Sequence, residues 1–449
     1  MSRWSEDFVR TALGLPALDG AGYDRIWTDT RTVAPGDLFV ALSGDRFDAH
    51  DFLPQAAAAG ARAAVVRRGT PPVPGLRLLE VDDPLRAFGE LARARRRQIG
   101  GTVVAVTGTN GKTSTKEMLA ATLRTRHRVH ATRANLNNLV GVPTTILESP
   151  ADTDALVVEA GANLPGEIAR YREIIEPDIT VITNVGAGHL EGFGSLEGVL
   201  AEKVALARGV ALAVTGAEPP ALGSEARAAA KRVIVAGIDS GDSTAESVTL
   251  DAEGRATLRV DGRAILLPLP GRHLAANAML AWTVGRELGL DPAAAAAALE
   301  ALTIPGGRSE LRRLGRLTVL DDCYNANPQS FRAVIATARA MRGARTLVFV
   351  AGTMREMGAH AAQMHADIAA ELVALEPDIL AAVGDFVPAL APYATRLGAR
   401  LVTAPDPLAL GPVLADRLRG DELIVLKASR GVALERILPM LASPAGDSD

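Results

Sequence analysis

The chain reads as an α/β protein of three domains built on parallel sheets. Three observations predict this. Short, unbroken apolar runs recur, as at Val103–Val106, Ala155–Val158 and Ile179–Ile182, and such runs mark strands buried on both faces. Helical stretches separate them, and strand–helix alternation covers a parallel sheet with helices. The length of 449 residues exceeds what one core usually holds.

In the first domain, Leu38–Leu42, Ala63–Val66 and Leu76–Val81 read as strands, and Phe52–Gly60 and Leu85–Arg97 as helices. Thr70–Gly75, with three prolines, is a loop, because proline fixes φ and removes a donor. The basic run Arg93–Arg97 reads as the solvated face and last turn of its helix. Gly100-Gly101 breaks the pattern. The second domain carries Val103–Val106, Ala155–Val158, Ile179–Ile182, Val210–Val214 and Val233–Val235 as strands, with helices at Ser114–Thr125 and Leu196–Ala207. Val248–Leu269 alternates and contains the turns Asp251-Ala252-Glu253-Gly254 and Asp261-Gly262, so antiparallel hairpins are expected. The third domain begins near Gly306, with strands at Leu317–Leu320, Thr346–Val350, Ile379–Val383 and Leu423–Leu426. The small, polar tail Ser443–Asp449 reads as a frayed end. The boundaries expected are 1–99, 100–305 and 306–449.

Composition excludes several classes. A formal charge of −4 leaves no basic footprint for nucleic acid. No stretch approaches the roughly 18 apolar residues of a membrane span. The single cysteine, Cys323, permits no disulfide within the chain and fits a reducing compartment. The N-terminal Met-Ser-Arg-Trp-Ser-Glu-Asp has no apolar core segment, so no signal peptide is expected.

The most specific local signal is Gly108-Thr109-Asn110-Gly111-Lys112-Thr113, followed by Ser114. It joins the Val103–Val106 strand to a helix. A nucleoside triphosphate needs that context: glycines let backbone N–H groups close on phosphate oxygens, and the helix N-terminus adds positive potential. Lys112 would neutralise phosphates and the Thr113 hydroxyl would hold Mg²⁺. General P-loops have four residues between the glycines; here there are two.

With that shortened spacing, the loop resembles the Mur ligase family. Thr28-Asp29-Thr30-Arg31 and Pro35–Leu42 resemble the family's uridine-nucleotide-binding opening. Ala134–Asn138 with Gly141–Thr145, Glu159–Ala162, Thr183–Val185 and His189–Ser195 follow in family order. Asp321-Asp322-Cys323-Tyr324-Asn325-Ala326-Asn327-Pro328 resembles the members that add a D-alanyl-D-alanine dipeptide to a muramoyl tripeptide. The resemblance implies a central P-loop parallel-sheet ATPase domain between a UDP-substrate-binding domain and a Rossmann-like C-terminal α/β domain that closes on ATP and binds the dipeptide. It implies a cytoplasmic, ADP-forming amide ligase working through an acyl phosphate, with ATP, two Mg²⁺, and no partner chain, as a monomer.

By the same resemblance, Gly108–Ser114, Asn277, Arg308, Asp322 and Asn325 contact ATP. Lys112, Glu159, His189, Lys203 and Arg308 are catalytic. Thr113, Glu159, His189 and Lys203 hold metal, Lys203 as a carbamate. Thr30, Arg31, Asn135, Asn137, Asn138, Asn327, Lys427, Ser429 and Arg430 contact the other substrates. Three positions depart from the family pattern: Leu274 and Thr353 stand where asparagine and aspartate are usual, and Ala428 replaces a glycine. His365 follows where the family has a histidine. Rival readings are a family member adding diaminopimelate, lysine or glutamate, the more distant folylpolyglutamate synthase, and, from another class, a P-loop kinase or nucleotide-regulated binding module.

Overall fold

The computed structural model describes residues 3–44, 47–304 and 306–441; the tail expectation at Ser443–Asp449 lies outside them. The strands are β1 (Ile26–Trp27), β2 (Leu38–Val40), β3 (Ala63–Arg67), β4 (Arg77–Val81), β5 (Thr102–Thr107), β6 (Val129–Ala131), β7 (Ala155–Glu159), β8 (Ile179–Ile182), β9 (Leu212–Gly216) and β10 (Val233–Gly237). They continue with β11 (Ser243–Thr244), β12 (Ser247–Leu250), β13 (Arg255–Val260), β14 (Arg263–Pro270), β15 (Glu310–Leu314), β16 (Leu317–Asp322), β17 (Leu347–Ala351), β18 (Ile379–Val383), β19 (Leu401–Ala404) and β20 (Leu423–Lys427). Among the described residues four sheets form, with orders β1-β2-β3-β4, β11-β10-β9-β8-β5-β7-β6, β12-β13-β14 and β15-β16-β20-β17-β18-β19. The first sheet is parallel throughout. The alternating stretch forms the antiparallel trio β12–β14.

Contacts divide the chain into two compact units, Met1–Ala105 with Arg128–Ala162 and Glu167–Asp178, and Val106–His127 with Asn163–Gly166 and Ile179–Asp449. The six-stranded sheet of the second unit shows why unbroken apolar runs make strands. Leu347, Phe349 and Ala351 of β17 enter one core cluster with Leu423 and Val425 of β20. Val348 and Val350 enter another with Ile424 and Leu426. Successive side chains point to opposite faces, so a sheet covered on both sides needs apolar residues at every position. The antiparallel edge strand β15 pairs with β16. Its sequence, Glu-Leu-Arg-Arg-Leu, hides it from an apolar-run criterion.

The first unit corrects one expectation. The Arg93–Arg97 run is not a solvated face: Arg95 and Arg96 are 6% and 8% exposed. Arg95 Nη2 donates to Pro150 O at 2.7 Å and Ser149 O at 3.2 Å, just past the helix Gly141–Glu148. Arg96 donates to Ile175 O and Glu176 O at 2.8–3.1 Å, at the end of the helix Glu167–Ile175. The last carbonyls of a helix lack intrahelical partners and carry negative partial charge, so two guanidiniums satisfy them. Arg96→Ala is expected to cost about 1–3 kcal/mol by stranding these carbonyls; urea unfolding measures it, and a change near zero would restore the surface reading.

Arg93 and Arg97 close on Glu176 at 2.8 and 2.7 Å. These bonds, led by that of Arg97, hold the Glu176 carboxyl down to about 2. Its folded value lies below the ordinary 4.5, so its contribution is present above that pH and is lost as pH falls towards 2. Glu176→Gln should flatten the fall in melting temperature across that window; an unchanged acid slope would exclude Glu176 as its source.

Candidate functional site

The phosphate loop follows β5 and opens the helix Lys112–Leu123. Its glycines are required by close approach. A β-carbon at Gly108 would lie 2.0 Å from Thr183 Oγ1, and one at Gly111 would lie 2.6 Å from Asn277 Oδ1; both also have φ in the left-handed range, +143° and +78°. Gly111 therefore seats Asn277, itself 5% exposed, against the loop. Asn110 is tied to Asn184 in both directions: its N–H donates to Asn184 Oδ1 at 3.0 Å, and its carbonyl accepts from Asn184 Nδ2 at 3.0 Å. These ties hold the shortened loop in shape. Lys112 Nζ donates to Gly108 O at 2.8 Å and Thr109 O at 3.0 Å, so the ammonium already sits over the loop. Thr113 and Ser114 are buried in the first helical turn.

Facing the loop is the run that follows β16. Asp322 Oδ1 accepts from the Ser309 N–H at 2.7 Å, and Oδ2 accepts from Lys427 Nζ at 2.6 Å. Lys427 also donates to Asn325 O and is 1% exposed. It anchors the Asp322–Asn325 turn from inside the sheet. Each Asp322 oxygen keeps a lone pair for a hydroxyl donor. Arg308 lies over the Tyr324 ring, 3.4 Å from its centroid, with Arg430 at 5.9 Å; such stacking orients a guanidinium without consuming its charge. Asn325 is exposed. Asn327 caps the helix Pro328–Arg342 through Ser330 N–H at 2.9 Å, and its Nδ2 donates to Asn110 Oδ1 at 2.8 Å. Two segments 217 residues apart thus meet at the loop.

His189 has φ +56° and Glu356 φ +65°, both unusual for residues with side chains. Their side chains meet, Nδ1 to Oε2, at 2.6 Å, and this bond holds the Glu356 carboxyl below its ordinary range. Lys203 is 1% exposed, on the helix Leu196–Val204 capped by Ser195, with Nζ 5.3 Å from the Phe193 ring centroid. A lysine so buried is not a surface charge.

In the first unit, Glu159 ends β7 and is 1% exposed. Oε1 accepts from Asn137 Nδ2 at 2.8 Å, whereas Oε2 is buried with no hydrogen-bond partner among the described residues. An orphaned carboxylate oxygen is costly, and a hard cation is a fitting partner. Among the described residues no group of three or more His, Cys, Asp or Glu could hold a metal. Magnesium, which keeps waters and substrate phosphates as ligands, does not need one. Asn138 Oδ1 caps Gly141 N–H at 2.8 Å; Asn135 is exposed. Arg31 pairs with Asp29 through two bonds at 2.9 and 2.7 Å, beside Thr30 in the 3-10 turn Thr30–Thr32.

Three family models match in order: Mur ligase family, catalytic domain, over residues 23–96; Mur ligase middle domain over 106–285; and Mur ligase, glutamate ligase domain, over 307–430. The chain is a member of the Mur ligase family. Among curated relatives, it is 37% identical to UDP-N-acetylmuramoyl-tripeptide--D-alanyl-D-alanine ligase of Escherichia coli (strain K12), covering 93% of each chain. Among solved structures, MurF from Acinetobacter baumannii superposes with a TM-score of 0.88 at 29% identity, covering 98% of each chain. MurF ligase from Thermotoga maritima in complex with ADP gives 0.82 at 30%, covering 93% of this chain and 97% of that one.

Within this Mur ligase, the three departures are absorbed locally. Leu274 is 2% exposed and belongs to the core. Ala428 has an ordinary φ, and its β-carbon fills space left by Gly352, where another β-carbon would lie 2.8 Å away. Thr353 Oγ1 accepts from the Asp385 N–H at 2.9 Å. His365 is structural: Nδ1 faces Ala361 O at 2.7 Å and Nε2 accepts from Met354 N–H at 2.9 Å, the bonding of a neutral imidazole. Ser429 Oγ accepts from Arg355 N–H at 2.9 Å, so His365 and Ser429 together hold the loop that carries Glu356. Sequence reading missed Glu356, Tyr324 and Gln329. Tyr324 lies within the Asp321–Pro328 run and Glu356 within the family-like run Gly352–Gly358, while Gln329 only follows the first of these.

Proposed function

We propose that this Mur ligase joins D-alanyl-D-alanine to a UDP-N-acetylmuramoyl-tripeptide, with hydrolysis of ATP to ADP and phosphate, forming the pentapeptide precursor. The observation that carries the reading is the contact between Asn110 of the phosphate loop and Asn327 of the Asp321–Pro328 run, which sets the run characteristic of dipeptide-adding members against the nucleotide loop.

ATP is taken up at Gly108–Ser114, with Asn277, Asp322 and Asn325 towards its nucleoside end. Lys112 exchanges the loop carbonyls for phosphate oxygens, and Arg308 leaves the Tyr324 face for the γ-phosphate. The terminal carboxylate of the tripeptide attacks the γ-phosphorus, the bond to the β-phosphate oxygen breaks, and ADP leaves. The amine of the dipeptide attacks the acyl carbon, phosphate departs, and the ammonium proton is lost to solvent. Lys112 and Arg308 offset the repulsion between two anions. Glu159, Thr113, His189 and a carbamylated Lys203 would hold Mg²⁺, which supplies further charge neutralisation when bound. Residues 1–99 bind the uridine nucleotide around Thr30 and Arg31, with Asn135, Asn137 and Asn138 towards its peptide. Residues 100–305 bind ATP. Residues 306–449 close over it and receive the dipeptide near Asn327, Ser429 and Arg430. Closure excludes water from the acyl phosphate. We assign the protein to the cytoplasm as a monomer; no helix among the described residues is long and apolar enough to cross a membrane.

Purified protein with ATP, Mg²⁺ and UDP-muramoyl tripeptide should release phosphate and yield a pentapeptide mass only when D-alanyl-D-alanine is added. Oxygen-18 in the tripeptide carboxylate should appear in that phosphate. Product with a free amino acid such as diaminopimelate, lysine or glutamate instead would reassign the acceptor.

A further inference from the structure

Asn110 has polar groups on two sides, and the two sides are held by different parts of the chain. Its backbone is held from the end of β8, through Asn184 and through Thr183 Oγ1, which donates to its carbonyl. Its side chain is held from the start of the helix Pro328–Arg342. Asn327 Nδ2 donates to its Oδ1 at 2.8 Å. Its own Nδ2 donates to Gln329 Oε1 at 2.7 Å, and more weakly to Asn327 Oδ1 at 3.3 Å. The amide orientations are fixed by this reciprocity, since turning any one of them would set donor against donor. Gln329 is in turn seated by a glycine: a β-carbon at Gly186 would lie 2.4 Å from its Oε1. Gly186 N–H also donates to Thr109 Oγ1 at 3.0 Å, so the seat is built onto the neighbouring loop residue.

We infer that Gln329 is a positioning residue for the nucleotide. With Asn327 it clasps Asn110, and Gly186 is the seat that lets it reach. The inference rests on the ATP-ligase reading and names a residue that touches neither phosphate nor acceptor. Because Asn110 lies between the two loop glycines, the shape presented to phosphate and the docking of the 322–329 run become one equilibrium. A nucleotide that requires the loop in this shape favours the docked run, and the docked run favours the nucleotide by the same factor.

The test uses the full chain and measures affinity for ATP by calorimetry, together with KM for each substrate. Gln329→Ala removes the acceptor for Asn110 Nδ2. Gly186→Ala keeps the glutamine but fills its seat. Each should weaken ATP binding about 3- to 10-fold, the range of one neutral hydrogen bond. KM for the tripeptide nucleotide and the dipeptide should stay within about twofold, where a general structural defect would move all three. Gly186→Ala should add nothing in the Gln329→Ala background, because the contact it disturbs is already gone. Unchanged ATP affinity in Gln329→Ala, or fully additive effects in the double variant, overturns the clasp while leaving the ligase reading intact. Failure of the parent protein to bind ATP overturns both.

Discussion

Lys112→Ala is expected to lower ligation about 10²- to 10³-fold, the loss typical when a group stabilising developing negative charge is removed. The fold should barely notice. Lys112 donates to Gly108 O and Thr109 O in its own loop, and its charge also acts on the Glu356 carboxylate, which is half exposed and stays solvated when the lysine is gone. Activity and stability therefore separate. A rate within tenfold of the parent, at an unchanged melting temperature, would mean that the ammonium does not meet the phosphates. Arginine should rescue poorly, since its planar fork does not replace a compact point charge on a flexible stem.

Lys427→Met should behave in the opposite way. Family resemblance alone places this lysine among substrate contacts, but its side chain is 2% exposed and pairs with Asp322 at 2.6 Å. Removing it leaves the Asp322 carboxylate, only 15% exposed, without its cation. Breaking such a pair costs about 3–5 kcal/mol, because the remaining charge stays desolvated. Urea unfolding should show a large drop in midpoint, and the Lys427→Met, Asp322→Asn double variant should recover part of it. Loss of turnover with full stability would return Lys427 to the substrate.

How far the sequence reached differs between fold and site. Strands such as Leu347–Ala351 and the stretch Leu423–Leu426 were legible because both faces of their sheet are covered, which makes every one of these residues apolar. The hairpins at β12–β14 were legible from alternation and turns. Strands β1, β6, β11 and β19, each two to four residues long, are too short to show a period. The charged edge strand β15 escaped for the reason that protects it, since charge on an edge discourages pairing with other chains. The phosphate loop was legible because its glycines and lysine are close in sequence.

By itself, the sequence determined the α/β class, the nucleotide loop and family membership, because each is written in residues near one another along the chain. Tertiary structure alone decided which charges are buried and what they hold. Arg95 and Arg96 looked like solvated cations and close two helix ends. Lys427, a substrate contact by family resemblance, also anchors Asp322 from inside the sheet. Gln329 carried no signal and reaches the phosphate loop across 219 residues of chain. In each case the reason is the same: a charge or amide is costly to bury without a partner, and whether a partner waits far along the chain is settled only when the sheets pack.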